Sequence, residues 1–143
     1  MDDRTGNISE IKFTKAREFF NGIDADMVTQ LIVAGSDIVL VIGKDGIIKD
    51  TNFCSDDNYA NGGRSWINRN IEEVVTPECM GKIESLFKEA RSGNISQPRE
   101  VNHRMLENDD LPVLYKAVSI GEEGDIILLG QDISKIASLQ RRL

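Results

Sequence analysis

Three side chains carry most of the reactive chemistry in this 143-residue sequence: the single histidine, His103, and the two cysteines, Cys54 and Cys79. One histidine excludes a metal site built from two imidazoles of one chain, and the sequence has no H-E-x-x-H, paired C-x-x-C or Walker pattern. A Ser/His/Asp or Cys/His site would have to use His103, and no order of residues supplies base, nucleophile and oxyanion donors together. We therefore predict no catalytic residue, no metal site and no enzymatic activity.

The strand predicted at Glu100 to Met105 determines where His103 points. Val101, His103 and Met105 alternate with polar residues, which places the imidazole on the apolar face of the strand. A histidine there either anchors a ligand or is a core side chain whose ring nitrogens bond neighbouring groups. We favour the second interpretation, because a lone histidine is more often structural.

The two cysteines give opposite patterns. Cys79 lies near the start of a predicted helix, where unpaired amides favour a thiolate, but Glu78 adjoins it and a small buried thiol is the commoner outcome. Cys54 is followed by Asp56 and Asp57, whose charges disfavour a thiolate. Two cysteines cannot form a dense disulfide framework, and we expect free thiols in a reducing cytoplasm.

Apolar spacing predicts the elements that position these side chains. Helices are expected over residues 8–20, from the Asp24 cap to Gly35, and from a cap at Thr76-Pro77 to Ser92-Gly93. The five predicted strands are Asp37 to Ile42, Ile47 to Thr51, Glu100 to Met105, Leu111 to Ile120 and Asp125 to Gln131.

A last helix is predicted after Asp132-Ile133-Ser134, which resembles a helix cap. Its apolar residues recur at three and then four positions, the spacing of a coiled-coil seam: Ile136, Leu139 and Leu143. We expect this segment to be the truncated start of a longer linker helix, because so short a coiled coil is not stable alone.

Charge and composition limit the class of protein. The chain has 17 Lys plus Arg and 24 Asp plus Glu, so 17 − 24 gives a net charge of −7, and its 40% hydrophobic content is that of a globular domain. A negative chain without a basic stripe is not expected to bind nucleic acid directly. Neither a signal peptide nor a membrane span is evident, so we expect a cytoplasmic protein.

The predicted fold is α+β, with a five-stranded antiparallel sheet, helices on one face, an N-terminal helical extension and a C-terminal exit helix. The expected boundaries are 1–36 for the extension, 37–132 for the domain and 133–143 for the start of the linker helix.

This order of elements resembles a PAS domain over roughly Met27 to Leu143. The resemblance is carried by the hairpin Ile38 to Asp50, by Trp66-Ile67-Asn68-Arg69 and by Asp132-Ile133-Ser134, which is similar to the family's Asp-Ile-Thr exit signature. Other stretches are similar to the N-terminal PAS domain of PpsR/CrtJ-type repressors of photosynthesis genes in purple bacteria: residues 34–41, 101–103, 112–118, 130–133 and 137–143.

The resemblance implies roles for several residues. Asp132 is expected to relay changes in the sheet to the exit helix. In PAS domains the apolar sheet face lines a cavity, so His103 is a candidate for haem ligation or ligand anchoring, but haem sensors of this fold usually ligate from the long helix, which has no histidine here. Cys54 lacks the Asn-Cys-Arg-Phe-Leu-Gln context of the flavin-adduct cysteine. No cofactor is therefore predicted.

By the same resemblance, the chain is expected to be a sensory and dimerisation module of a transcriptional regulator. Its homodimer interface would use Phe19 and Phe20, packed across the sheet, together with Ile136, Leu139 and Leu143. A protein partner such as an antirepressor is expected, and DNA would be bound only by a C-terminal domain outside this chain. The alternative is a cofactor- or ligand-binding PAS input domain of a histidine kinase or diguanylate cyclase.

Overall fold

The computed structural model describes residues 15–53, 63–105, 109–136 and 139. The described residues include three α-helices: α1 (Ala16–Phe19), α2 (Ala25–Gly35) and α3 (Met80–Arg91). They also include five strands: β1 (Ile38–Ile42), β2 (Ile48–Phe53), β3 (Arg99–His103), β4 (Leu111–Ile120) and β5 (Asp125–Asp132). Two 3-10 turns precede α3, at Ile71–Glu73 and Pro77–Cys79.

The five strands form one antiparallel sheet in the order β2-β1-β5-β4-β3. This order confirms the α+β fold with a five-stranded antiparallel sheet that the sequence predicts. β1 and β5 therefore lie side by side although they are the first and last of the described strands. The start of β1 consequently lies beside the end of β5, where Ile38 pairs with Gly130.

The core lies between one sheet face and α3. β5 buries alternate residues, as the period of two requires, whereas β1 buries four of its five residues. α3 buries the stripe that the sequence predicts. The buried residues of α3 are Ile83, Leu86, Phe87 and Ala90. α3 packs against β3 and β4, which brings the start of the helix close to His103.

Residues close in sequence explain the start of α2 and the turn between β1 and β2. The Asp24 carboxylate accepts the Met27 N–H at 3.0 Å and caps α2 as predicted. The β1–β2 turn places Gly46 at a φ of 84°, a backbone conformation that costs a glycine little and other residues more. Strand β4 has the predicted bounds, Leu111 to Ile120.

Thr76 differs from the prediction. Its side chain makes no capping hydrogen bond, and the α-helix starts only at Met80, after the 3-10 turn. The Thr76 N–H instead donates to the Asn102 carbonyl and its hydroxyl donates to the Cys79 sulfur. The hydroxyl thus bonds to a sulfur within the 3-10 turn instead of capping a backbone N–H, and the Thr76 backbone joins the turn to β3.

The chain divides into two compact units, Met1–Leu31 and Ile32–Leu143. In the first unit, α1 has no buried residue, and Phe19 is 71% exposed. The second unit contains the whole sheet and α3. Within the described residues, no helix is long and apolar enough to cross a membrane.

Candidate functional site

His103 is completely buried in the core, on the face that the alternation along β3 predicts. Both ring nitrogens have protein partners: Nδ1 lies 2.9 Å from the Val74 carbonyl oxygen, and Nε2 lies 2.6 Å from the Tyr115 hydroxyl oxygen. A carbonyl only accepts, so Nδ1 carries the hydrogen, and Nε2 accepts a hydrogen bond from the Tyr115 hydroxyl. The neutral imidazole therefore has both of its hydrogen-bonding positions used.

Aromatic rings enclose this histidine on two sides. Trp66 stacks on the imidazole with ring centroids 4.5 Å apart and 30° between planes, and Tyr115 meets it edge-on at 5.5 Å. Phe53 in turn packs edge-to-face on Trp66 at 5.3 Å. We call Trp66, His103 and Tyr115 the core triad.

The backbone before α3 holds Trp66 over the imidazole. The Asn68 N–H donates to the Ile48 carbonyl and the Ile48 N–H donates to the Arg69 carbonyl, both at 2.8 Å. Asn68 itself has a φ of 74°, which asparagine tolerates better than most residues. The loop that carries Trp66 is therefore tied to the free side of β2.

Burial controls the protonation of the core triad. It lowers the pKa of His103 to about 4, although the hydrogen bond to the Val74 carbonyl opposes this change. It also raises the pKa of the Tyr115 hydroxyl well above its usual value of 10.0. Both side chains are thus neutral near pH 7. Because both ring nitrogens are hydrogen-bonded, a haem iron could bind His103 only after one of these bonds had broken.

The lowered pKa predicts acid destabilisation. An unfolded histidine has a pKa near 6.5, so below that value the unfolded chain binds a proton that folded His103 does not. Stability from this group is complete above about pH 6.5 and falls as the pH drops towards 4. We expect the free energy of unfolding to decrease by about 2 kcal/mol between about pH 7.5 and about pH 5 through His103.

Urea unfolding of the chain and of its His103→Leu variant at the two pH values measures this contribution. The variant has no group to titrate at this position, so its loss between the two pH values should be smaller by that amount. An equal loss in both proteins would show that His103 does not titrate as described.

Cys79 is a buried thiol whose sulfur accepts two hydrogen bonds. It is 2% exposed, and its sulfur accepts the Thr76 hydroxyl and the Asn102 backbone N–H, both at 3.3 Å. Asn102 lies on β3, an edge strand, and its N–H faces away from the sheet, so the sulfur satisfies a donor that would otherwise be unpaired. Cys54, the other predicted thiol, lies outside the described residues.

Asp132 ends β5 and begins the exit helix. Its Oδ1 accepts the Ser134 N–H at 2.9 Å, as a helix-capping carboxylate does. The structure assigns helix at residues 134–136 and at 139, where Ile136 is 56% and Leu139 is 58% exposed. Leu143 lies outside the described residues.

Gly130, two residues before Asp132, connects the core triad to this strand end. A Cβ at Gly130 would lie 2.5 Å from a Val113 methyl carbon and 2.6 Å from a ring carbon of Tyr115. The Tyr115 ring therefore packs directly on the β5 backbone. Sequence reasoning gave Gly130 and Tyr115 no role, because their contact depends on the register that pairs them across β4 and β5.

A cleft of about 420 Å³ lies at the sheet turns around the Lys49–Asp125 ion pair, where Nζ and Oδ1 are 3.0 Å apart. The Asp125 carboxylate raises the pKa of Lys49, an exposed side chain. Among the described residues, no group of three or more His, Cys, Asp or Glu could hold a metal ion.

Comparisons with known proteins agree with this architecture. No protein-family model matches the chain. A curated relative, the protein CrtJ of Rhodobacter capsulatus, is 23% identical over 135 residues, which cover 94% of this chain and 29% of that protein. The chain thus spans less than a third of the length of this relative.

Solved structures identify the fold. The PAS domain of an HTR-like protein from Haloarcula marismortui is 19% identical, with a TM-score of 0.50 over 76% of this chain and 93% of that one. A C-terminal domain from Streptococcus mutans is 23% identical, with a TM-score of 0.45 over 83% of this chain and 92% of that one. The first of these likenesses, together with the five-stranded antiparallel sheet, shows that the chain has the PAS fold.

Proposed function

We propose that the chain is the sensory and dimerisation PAS module of a cytoplasmic transcriptional regulator of the PpsR/CrtJ type. The observation that carries this proposal is the match to CrtJ across 94% of the chain, joined to the PAS fold. Because the chain spans 29% of CrtJ, its DNA-binding part would lie in a separate domain. The net charge of −7 agrees with a module that does not itself bind DNA.

The module would act through protein contacts without catalysis. Apolar side chains are exposed on α2 and on the exit helix, and exposed apolar patches commonly mark interaction sites. On α2, which has no buried residue, Leu31 is 60% and Met27 is 51% exposed, and Phe20, which follows α1, is 42% exposed. We assign a homodimer interface to Phe19, Phe20, Ile136, Leu139 and Leu143, and a further surface to a protein partner such as an antirepressor.

A ligand-sensing input domain of a histidine kinase or cyclase receives less support. The polar group best placed to anchor a ligand is His103, and both of its nitrogens already have protein partners. Trp66 also occupies one face of the imidazole. A ligand would have to displace these groups from the core.

Asp132 would relay changes in β5 to the exit helix. In host cells, we expect Asp132→Ala to shift the transcripts of target genes towards their levels in a strain that lacks the gene. The free energy of unfolding should fall only slightly, since loss of a helix cap removes about 1 kcal/mol of stability. RNA sequencing with immunoblotting for protein abundance measures both effects.

Asp45→Ala is the matched control. It removes a similar bond, from the Ile47 N–H to the Asp45 carboxylate at 3.1 Å, at the β1–β2 turn. Wild-type transcripts in the Asp132→Ala strain would contradict the relay. Unchanged transcripts in the strain that lacks the gene would contradict the regulator proposal as a whole.

A further inference from the structure

Asp37 joins the first and last strands at the point where the chain leaves the domain. Its N–H donates to the Gly130 carbonyl, and its carboxylate Oδ2 accepts the Asp132 N–H, both at 2.9 Å. The regular pairing of β1 with β5 ends at Ile38 and Gly130. Beyond this point, the Asp37 side chain takes the place of a backbone carbonyl as the acceptor for β5.

Among the described residues, no acceptor on the other side of β5 can replace the Asp37 carboxylate for the Asp132 N–H. There, β4 supplies the Pro112 carbonyl to the N–H of the following residue, Ile133, at 3.1 Å. Asp132 thus depends on Asp37 for its own N–H, while its carboxylate caps Ser134. Movement of Asp37 would free the residue that begins the exit helix.

Helix α2 ends at Gly35, two residues before Asp37. A change in α2 can therefore displace Asp37 through only one intervening residue, Ser36. We propose that Asp37 is a latch at the start of the exit helix: its carboxylate holds the Asp132 N–H and keeps the Ser134 cap formed, and a change in α2 reaches Asp37 along the chain. This inference rests on the proposed role of the exit helix as the output of the module.

Amide hydrogen exchange of the chain, followed by NMR, tests the latch. Asp37→Ala should speed exchange at Asp132 by about 10-fold, since that factor corresponds to the loss of one hydrogen bond, and should also speed exchange at Ser134. Asp37→Asn keeps an oxygen that accepts and should retain most of the protection. Asp45→Ala, which removes a similar bond at the β1–β2 turn, should leave both amides unchanged.

A second substitution tests the coupling to α2. Thr29→Pro breaks α2 in its middle, because proline lacks the N–H and clashes with the preceding turn. It should speed exchange at Asp132 and Ser134 when Asp37 is present and add nothing in the Asp37→Ala chain. The amide of Val101, in the buried part of β3, reports any global loss of stability.

Unchanged exchange at Asp132 in Asp37→Ala would overturn the latch. Independent, additive effects of Asp37→Ala and Thr29→Pro would overturn its coupling to α2. Neither readout depends on transcription, so a failed latch leaves the regulator proposal standing. Conversely, unaltered transcripts in the Asp132→Ala strain would contradict the relay but would leave the latch to be judged by amide exchange alone.

Discussion

Gly130→Ala is expected to lower the free energy of unfolding by about 2 to 3 kcal/mol, at the upper end of the usual cost of overpacking. The added methyl would approach Val113 and Tyr115 to less than 3.0 Å, and both side chains are completely buried. Tyr115 cannot move away without lengthening its 2.6 Å hydrogen bond to His103. The strain would therefore spread from β5 into the core triad.

Gly81→Ala is the matched control for this substitution. Gly81 lies in α3, and a Cβ there would meet no atom within 4 Å. Alanine favours helix over glycine by up to about 1 kcal/mol, so this variant should be unchanged or more stable. Thermal and urea unfolding compare the two variants, and equal stability of Gly130→Ala and the unmodified chain would contradict the packing of Tyr115 on β5.

His103→Leu is expected to cost about 2 to 4 kcal/mol, because it leaves the Tyr115 hydroxyl and the Val74 carbonyl buried without their partner. Tyr115→Phe should cost less, about 1 to 2 kcal/mol, since it leaves only a ring nitrogen unpaired. In the double variant the phenol is absent, so its loss should be smaller than the sum of the single losses by about 1 to 2 kcal/mol.

Urea unfolding of the four proteins at neutral pH completes this double-mutant cycle. Additive losses would mean that the hydrogen bond between Nε2 and the Tyr115 hydroxyl does not stabilise the fold. A visible haem spectrum gained by the unmodified chain and lost in His103→Leu would assign the imidazole to a cofactor instead.

Sequence patterns predicted elements well where the signal was local or periodic. The alternation along β3 placed His103 on the core face, the carboxylate of Asp24 capped α2, and β4 has the predicted bounds. These signals depend on residues within a few positions of one another, so the chain alone determines them. The five-stranded antiparallel sheet that these patterns predict is confirmed by the structure.

Contacts across the sheet could not be predicted in the same way. Tyr115 reaches His103 from the neighbouring strand, and Trp66 reaches it from a loop that the backbone of β2 holds in place. Asp37 lies 95 positions from Asp132, and no local pattern marks the pair. Thr76 was mispredicted in the opposite way. The local pattern predicts a side-chain cap, but the Thr76 hydroxyl donates to Cys79 and its N–H donates to Asn102 on β3.

The core triad and the strand end belong to one connected region. The Tyr115 ring packs on Gly130, whose carbonyl accepts the Asp37 N–H, and Asp37 holds Asp132. Rearrangement of Tyr115 would therefore act on Gly130 directly, and through Asp37 on Asp132. This connection gives the proposed relay a physical path through named contacts.

Sedimentation equilibrium of the chain tests the central claim, a module that dimerises through its apolar helices, most directly. At concentrations up to about 100 μM, a dimer with a Kd near 1 μM would be almost complete. We predict a mass approaching twice the 15.9 kDa of the chain, and a return to the monomer mass on replacing Phe19, Ile136 and Leu139 with glutamate. A strict monomer at every concentration, both for this chain and for one lengthened by a few heptads of linker helix, would contradict the account.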